Sequence, residues 1–232
     1  MSTVTFVSGA NRGIGFEFAR QLADRGGQVI AGYRSADRSR ELLALAEGHQ
    51  CLHAFPADVN NQRQLRKLHR YIRDTFGRLD LLINNAGINP GAGEPLDEIG
   101  IDSLRTAYDV NVLGPLLAAR YLRPLLAESD NPRIVNIGSR AGLISRSKAD
   151  NAPYRIGKCA LNMLTTIQAQ AYEPDGIPVV VMTPGWVRPE MGGPDANLSA
   201  EESVDGMLLV IDSLTKNQSG RFFAYDGQEV AL

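Results

Sequence analysis

The segment Ser8-Gly9-Ala10-Asn11-Arg12-Gly13-Ile14-Gly15 constrains the fold most, because it separates two runs of different period. Residues 3–8 before it are β-rich. Residues 16–25 after it put Phe18, Ala19 and Leu22 on one helical face, and Gly26-Gly27 stops them. A strand that enters a helix through glycines opens a βαβ unit. Glycine lets the backbone turn sharply and approach a ligand, while the helix start offers free N–H groups and a positive dipole end. That combination suits a pyrophosphate. The plain alternative is a glycine-rich turn with no ligand, and a lone glycine pattern does not separate the two.

The alternation continues along the chain. Strands are predicted at residues 28–33, 51–55, 79–83, 133–137, 178–182 and 221–224. Helices are predicted at 40–47, 61–76, 97–128, 155–172 and 200–213, the third interrupted near Asn111 and Gly114-Pro115. Strands alternating with helices imply parallel pairing in a doubly wound sheet. With no linker, repeat or low-complexity tract, residues 1–232 read as a single α/β domain.

Charge and composition narrow the function classes. A net charge of −2 gives no sign of a nucleic-acid partner. No apolar run approaches the roughly 20 residues of a membrane span, and the first residues lack a secretory pattern, so a cytoplasmic protein is expected. Cys51 and Cys159 read as reduced packing residues. His49, His53 and His69 lack metal-ligand spacing, so no metal site is predicted. In 61–76, Leu65, Leu68, Ile72 and Phe76 share a buried face, and Arg63, Arg66, Arg70 and Arg73 form a basic stripe. The stripe reads as a solvated helix face, with a polyanion site as the alternative.

Tyr154 and Lys158 carry the chemistry. They lie at i and i+4 of one helix, hence one turn apart on one face. A free tyrosine has a pKa near ~10; a neighbouring ammonium would lower it and make the pair a general acid or base near neutral pH. A tyrosine four residues before a lysine is common by chance. The glycine loop and Ser139 give this one its weight.

The glycine spacing is GxxxGxG rather than the commoner GxGxxG. Asn84-Asn85-Ala86-Gly87, Asn111, Ser139, the Tyr154-x-x-x-Lys158 pair and Pro184-Gly185 follow in order, each beside the expected element. As a set, they resemble the short-chain dehydrogenase/reductase family over roughly residues 3–225. The motifs at 9–15, 191–194 and 220–227 look most like its C-factor-like and sniffer-like carbonyl reductases. The resemblance implies one Rossmann-type α/β domain with a central parallel sheet of about seven strands. It implies hydride transfer between NADP(H) and a small carbonyl or alcohol, with Tyr154 as general acid and base. Ser139 would bond the substrate oxygen, Lys158 the nicotinamide ribose, and Asn111 a proton-relay water. Asp58 would contact the adenine, and Asn85 and Gly87 the adenosine ribose side. Further cofactor contacts are implied at Gly9, Asn11, Arg12, Gly13, Ile14, Gly15, Arg34, Val59, Ala86, Pro184, Gly185 and Val187, and also at Tyr154 itself. A homodimer or homotetramer paired through 112–128 and 155–172 is also implied. The alternative is a cofactor-binding signalling or interaction protein with little turnover.

The choice of NADP over NAD rests on residues. NAD sites usually carry an Asp or Glu at the end of the second strand; here that position is Tyr33, followed by Arg34, with Arg12 in the glycine loop. Asp37 lies near enough in sequence to complicate this. Other departures from the family are Ser8 for threonine, Gly138 and Gly157 for serines, a loop at 140–153 two residues longer than usual, and Pro189 for a threonine. Residues 186–200 are predicted to form a lid, with Trp186, Met191 and Leu198 apolar, and Glu190 and Asp195 disfavouring a strongly anionic substrate.

Overall fold

A computed structural model describes residues 2–188 and 196–232. The strands are β1 (Val4–Val7), β2 (Gln28–Tyr33), β3 (Leu52–Pro56), β4 (Leu81–Asn84), β5 (Arg133–Ile137), β6 (Val179–Thr183), β7 (Phe222–Ala224) and β8 (Glu229–Val230). The α-helices are α1 (Gly13–Asp24), α2 (Arg40–Gly48), α3 (Gln62–Phe76), α4 (Ile101–Tyr108), α5 (Gly114–Leu126), α6 (Ala152–Ala171) and α7 (Ala200–Ser213). One sheet runs in the order β3-β2-β1-β4-β5-β6-β7-β8, and all neighbours pair in parallel except β7 with β8. Among the described residues seven strands run parallel, as expected, and β8 joins β7 as an antiparallel eighth. The extra one has two residues and follows a tight turn at Gly227 (φ 85°), too short to leave a periodic signal.

Alternation along the strands sends side chains to both faces. Val7, Val29, Ala31 and Ile83 pack with Phe18 of α1, Leu42 of α2 and Met207 of α7. Phe6, Ile30 and Leu82 point the other way, against Leu65, Leu68 and Ile72 of α3 and Leu122 of α5. This is the doubly wound arrangement that near-continuous apolar strands require. The strand order reverses between β1 and β4, so a crevice opens at the carboxyl ends of the strands there.

The interruption expected near Asn111 is a π-helical segment, Asp109–Leu113, between α4 and α5. In a regular α-helix the N–H of residue 115 would bond the carbonyl of Asn111. Pro115 has no N–H, so the helix cannot continue that way. Among the described residues, no helix is long and apolar enough to cross a membrane.

Candidate active site

A cleft of about 1000 Å³ lies over the carboxyl ends of β1 to β6. Its floor is the glycine loop, where Gly9 (φ 64°) and Gly13 (φ 53°) hold left-handed backbone. A Cβ on Gly15 would collide with the Asn85 side chain and the Gly9 carbonyl. Ser8 latches two loops together: its Oγ accepts the N–H groups of Asn85 and Ala86, each at 3.1 Å. The hydroxyl makes these bonds, so serine serves where threonine is usual. Asn85 Nδ2 in turn donates to the carbonyls of Ser8 and Gly9. The Asn85 amide group is thus occupied in holding the loop, although the residue lines the cleft as expected. Arg12 stands at the N-cap of α1 without capping through its side chain, and the first turn holds no carboxylate. An anion meets helix N–H groups there without competition.

At one end of the cleft lie Arg12, Arg34, Ser35 and Arg38. Asn11 Nδ2 donates to the Arg38 carbonyl at 3.1 Å, which ties the turn after β2 to the glycine loop. Arg38 is not among the cofactor contacts expected from the sequence. A short 3₁₀ turn, Ala36–Arg38, brings it back to the cleft, and the available signal was its place four residues after Arg34. Asp37 is exposed and does not line the cleft. Asp58 and Val59 line the adjoining wall. The Asp58 N–H donates to Gln64 Oε1 at 2.7 Å.

At the other end are Ser139, Tyr154 and Lys158. Lys158 is buried, at 4% exposure, and its Nζ donates to the Ile137 carbonyl at 2.7 Å. Burial lowers its pKa from the usual 10.5 to about 8. The same Nζ lies 5.7 Å from the centroid of the Tyr154 ring. Tyr154 corrects an expectation. Its phenol pKa is raised above 10.0, not lowered, because burial outweighs a hydrogen bond to Ser139 and the positive charge of Arg155. Ser139 Oγ also accepts the Ala141 N–H at 3.1 Å. Asn111 sits behind this group and does not line the cleft. Its Oδ1 accepts the Ile88 N–H and its Nδ2 donates to the Ile88 carbonyl, both at 2.9 Å. Two glycine departures have steric reasons. A Cβ on Gly138 would collide with Val181, and one on Gly157 would stand 3.3 Å from Asn111 Nδ2.

The lengthened loop is clamped from inside the site. Arg155 Nε donates to the carbonyl and carboxylate of Asp150 at 2.9 and 2.7 Å, and its Nη1 to the carbonyls of Ala141 and Arg146 at 3.3 and 3.2 Å. Asn151, at φ 50°, is the one described non-glycine residue with left-handed backbone, and its Oδ1 accepts from Asn89 Nδ2 at 3.0 Å. Asn89, Asn151 and Arg155 all line the cleft, and sequence reasoning missed them because a long loop has no period to read. Pro184, Gly185, Trp186 and Val187 line the opposite lip, with Trp186 exposed and Val187 bridged to Leu198. Glu190, Met191 and Asp195 of the lid expectation, the departure at Pro189 and the motif at 191–194 lie outside the described residues.

Comparison with known proteins identifies the family. The family pattern described as short chain dehydrogenase matches residues 3–198. A protein called C-signal from Myxococcus xanthus is 40% identical over 155 residues, covering 66% of this chain and 93% of that protein. The NADPH-bound carbonyl reductase from chicken fatty liver superposes with a TM-score of 0.92 at 32% identity, covering 100% of both chains. The carbonyl reductase Sniffer of D. melanogaster gives 0.92 at 28% identity with the same coverage.

Proposed function

The chain belongs to the short-chain dehydrogenase family, and from that premise we propose that it reduces a small ketone or aldehyde with NADPH. The observation that carries the reading is the meeting of Ser139, Tyr154 and Lys158 at one end of a cleft whose other end holds Arg12, Arg34 and Arg38. The cleft suits NADP(H). Its glycines leave room that a Cβ would fill, the start of α1 faces it without a competing carboxylate, and three arginines can receive a 2′-phosphate. Gly9 to Gly15 would hold the diphosphate, Asp58 and Val59 the adenine, Ala86 and Gly87 the adenosine ribose side, and Lys158 the nicotinamide ribose. When bound, the reduced nicotinamide supplies the hydride.

The chain's own groups supply position and a proton. Ser139 and Tyr154 hold the substrate oxygen between two hydroxyls. With its pKa raised above 10.0, Tyr154 is protonated at neutral pH and gives that proton to the oxygen as the alkoxide forms. The phenolate left behind is stabilised by the Ser139 hydrogen bond, the Arg155 charge and the nearby Lys158 ammonium. A protonated acid at rest favours reduction over alcohol oxidation at neutral pH. Asn111 is a positioning residue here: it fixes Ile88 and the turn beside Gly87, next to Lys158. The likeness to C-signal favours one other reading, a signalling or interaction protein with little turnover. NADPH consumption against a carbonyl panel, with Tyr154→Phe as control, separates the two. Turnover that vanishes in the variant supports the reductase. Slow consumption that is equal in both proteins refutes it.

A further inference from the structure

We propose that the groove between α3 and α5 is a second binding site, for a soluble oligophosphate. The groove is a cavity of about 460 Å³ lined by Arg63, Arg66, Arg70 and Arg120, with His69 and Tyr121 in its wall. None of these residues lines the cofactor cleft. Arg63, Arg66 and Arg70 stand at i, i+3 and i+7, so they share one face of α3. Arg120 joins them from α5. The sequence shows only the stripe; the packing of α3 on α5 brings four arginines round one cavity.

The cluster is unfavourable as it stands. Like charges three and four residues apart repel, and cations near a helix N-terminus oppose its dipole. Arg63 lies in the first turn of α3, which has no acidic residue. Several arginines on other helices have carboxylate partners. Arg20 pairs with Glu17, Arg25 with Asp212, and Arg123 with Asp175. Arg73, one turn beyond Arg70, pairs with Asp74. Among the described residues no carboxylate pairs with Arg63, Arg66, Arg70 or Arg120. An anion from solution would supply what the chain withholds.

The wall is already ordered. Arg66 Nη1 donates to Tyr121 Oη at 3.1 Å, Tyr121 Oη donates to Gln62 Oε1 at 2.8 Å, and His69 Nδ1 donates to the Tyr121 carbonyl at 2.8 Å. The three α3 arginines are strung along roughly 10 Å of helix, at 1.5 Å per residue. That spread suits a chain of linked phosphates better than one ion, and guanidinium forks match phosphate oxygens. The volume is that of a small-molecule site rather than a track for a polymer.

The test is titration of the full chain, saturated with NADPH, with inorganic tripolyphosphate at about 0.15 M salt. Saturable binding is expected, with at least about a tenfold loss in Arg66→Gln/Arg120→Gln and no loss in Arg34→Gln. Turnover without the anion should be unchanged in the double variant. If NADPH fails to bind, the same comparison is made without it, and loss in Arg34→Gln alone would place the anion in the cofactor cleft and overturn the site. Equal displacement by matched sulfate or orthophosphate, or binding only to phosphatidic-acid vesicles, would also overturn it.

Discussion

Lys158 Nζ lies 5.7 Å from the centre of the Tyr154 ring, over its face, and gives a hydrogen bond to the Ile137 carbonyl. The i, i+4 spacing brought the two together, but burial determines what each does. Both charged forms are desolvated, so the phenol is held above its usual pKa and the ammonium below its own.

A phenol with a pKa above 10.0 is an acid at rest across the neutral range. The kcat/KM for carbonyl reduction should therefore stay level from pH 6 to about 7 and fall as Lys158 loses its proton near pH 8, while oxidation of the product alcohol, which needs the phenolate, should gain from rising pH. Tyr154→Phe should lower both by about 10²–10⁴-fold with NADPH still bound. Steady-state rates in both directions check this. Reduction that already declines between pH 6 and 7 would place the proton elsewhere.

Lys158 links function to stability. Its folded pKa is about 8 and its ordinary value 10.5, so between these pH values the unfolded chain binds more protons. Stability should then rise with pH across that window, and below about pH 8 the full cost of the buried ammonium is present. That cost is roughly 3 kcal/mol, set against about 1 kcal/mol for the lost bond to Ile137 in Lys158→Met. The inactive variant should melt about 4 °C or more above the unmodified chain at pH 7, and the gap should close towards pH 10.5. A variant that melts lower at pH 7 contradicts this.

Arg155 clamps the lengthened loop at Asp150, Ala141 and Arg146. Arg155→Ala should raise KM for the carbonyl by about tenfold or more and leave the NADPH Kd unchanged, since the cofactor's own arginines are untouched. Lysine should not rescue it, because one ammonium cannot reach a carboxylate and two carbonyls in a fork. Loss of this positive charge should also move the alkaline rise of the oxidation rate to higher pH. A pH profile identical to that of the unmodified chain would show that Arg155 acts on the loop alone.

Legibility followed periodicity. Strand β5 and helix α7 are as their apolar patterns predict, and the glycine loop and the Tyr154–Lys158 pair lie where local spacing puts them. Properties set by three-dimensional burial were not readable: the direction of the Tyr154 shift, and the withdrawal of Asn111 from the cleft onto Ile88. Arg38 was missed for a similar reason. A 3₁₀ turn of three residues decides whether it faces solvent or the cleft, and no repeat announces such a turn.

The preference for NADPH over NADH should rest on Arg34 and Arg38 together. Both line the arginine end of the cleft, and Asn11 holds the Arg38 backbone at 3.1 Å against the glycine loop. Tyr33 stands where a carboxylate would repel the 2′-phosphate, and Asp37 does not line the cleft. Two guanidinium groups on one dianion bind more strongly than either alone, so removal of one leaves part of the preference. Arg34→Ala should weaken NADPH by roughly tenfold, about 1.4 kcal/mol, and leave NADH nearly unchanged. Arg38→Ala should do the same, and the double variant should bind the two cofactors about equally. Fluorescence titration of both nucleotides with the three variants reads this directly. An Arg38→Ala protein with its NADPH affinity intact would return that side chain to solvent and leave the preference to Arg34 and Arg12.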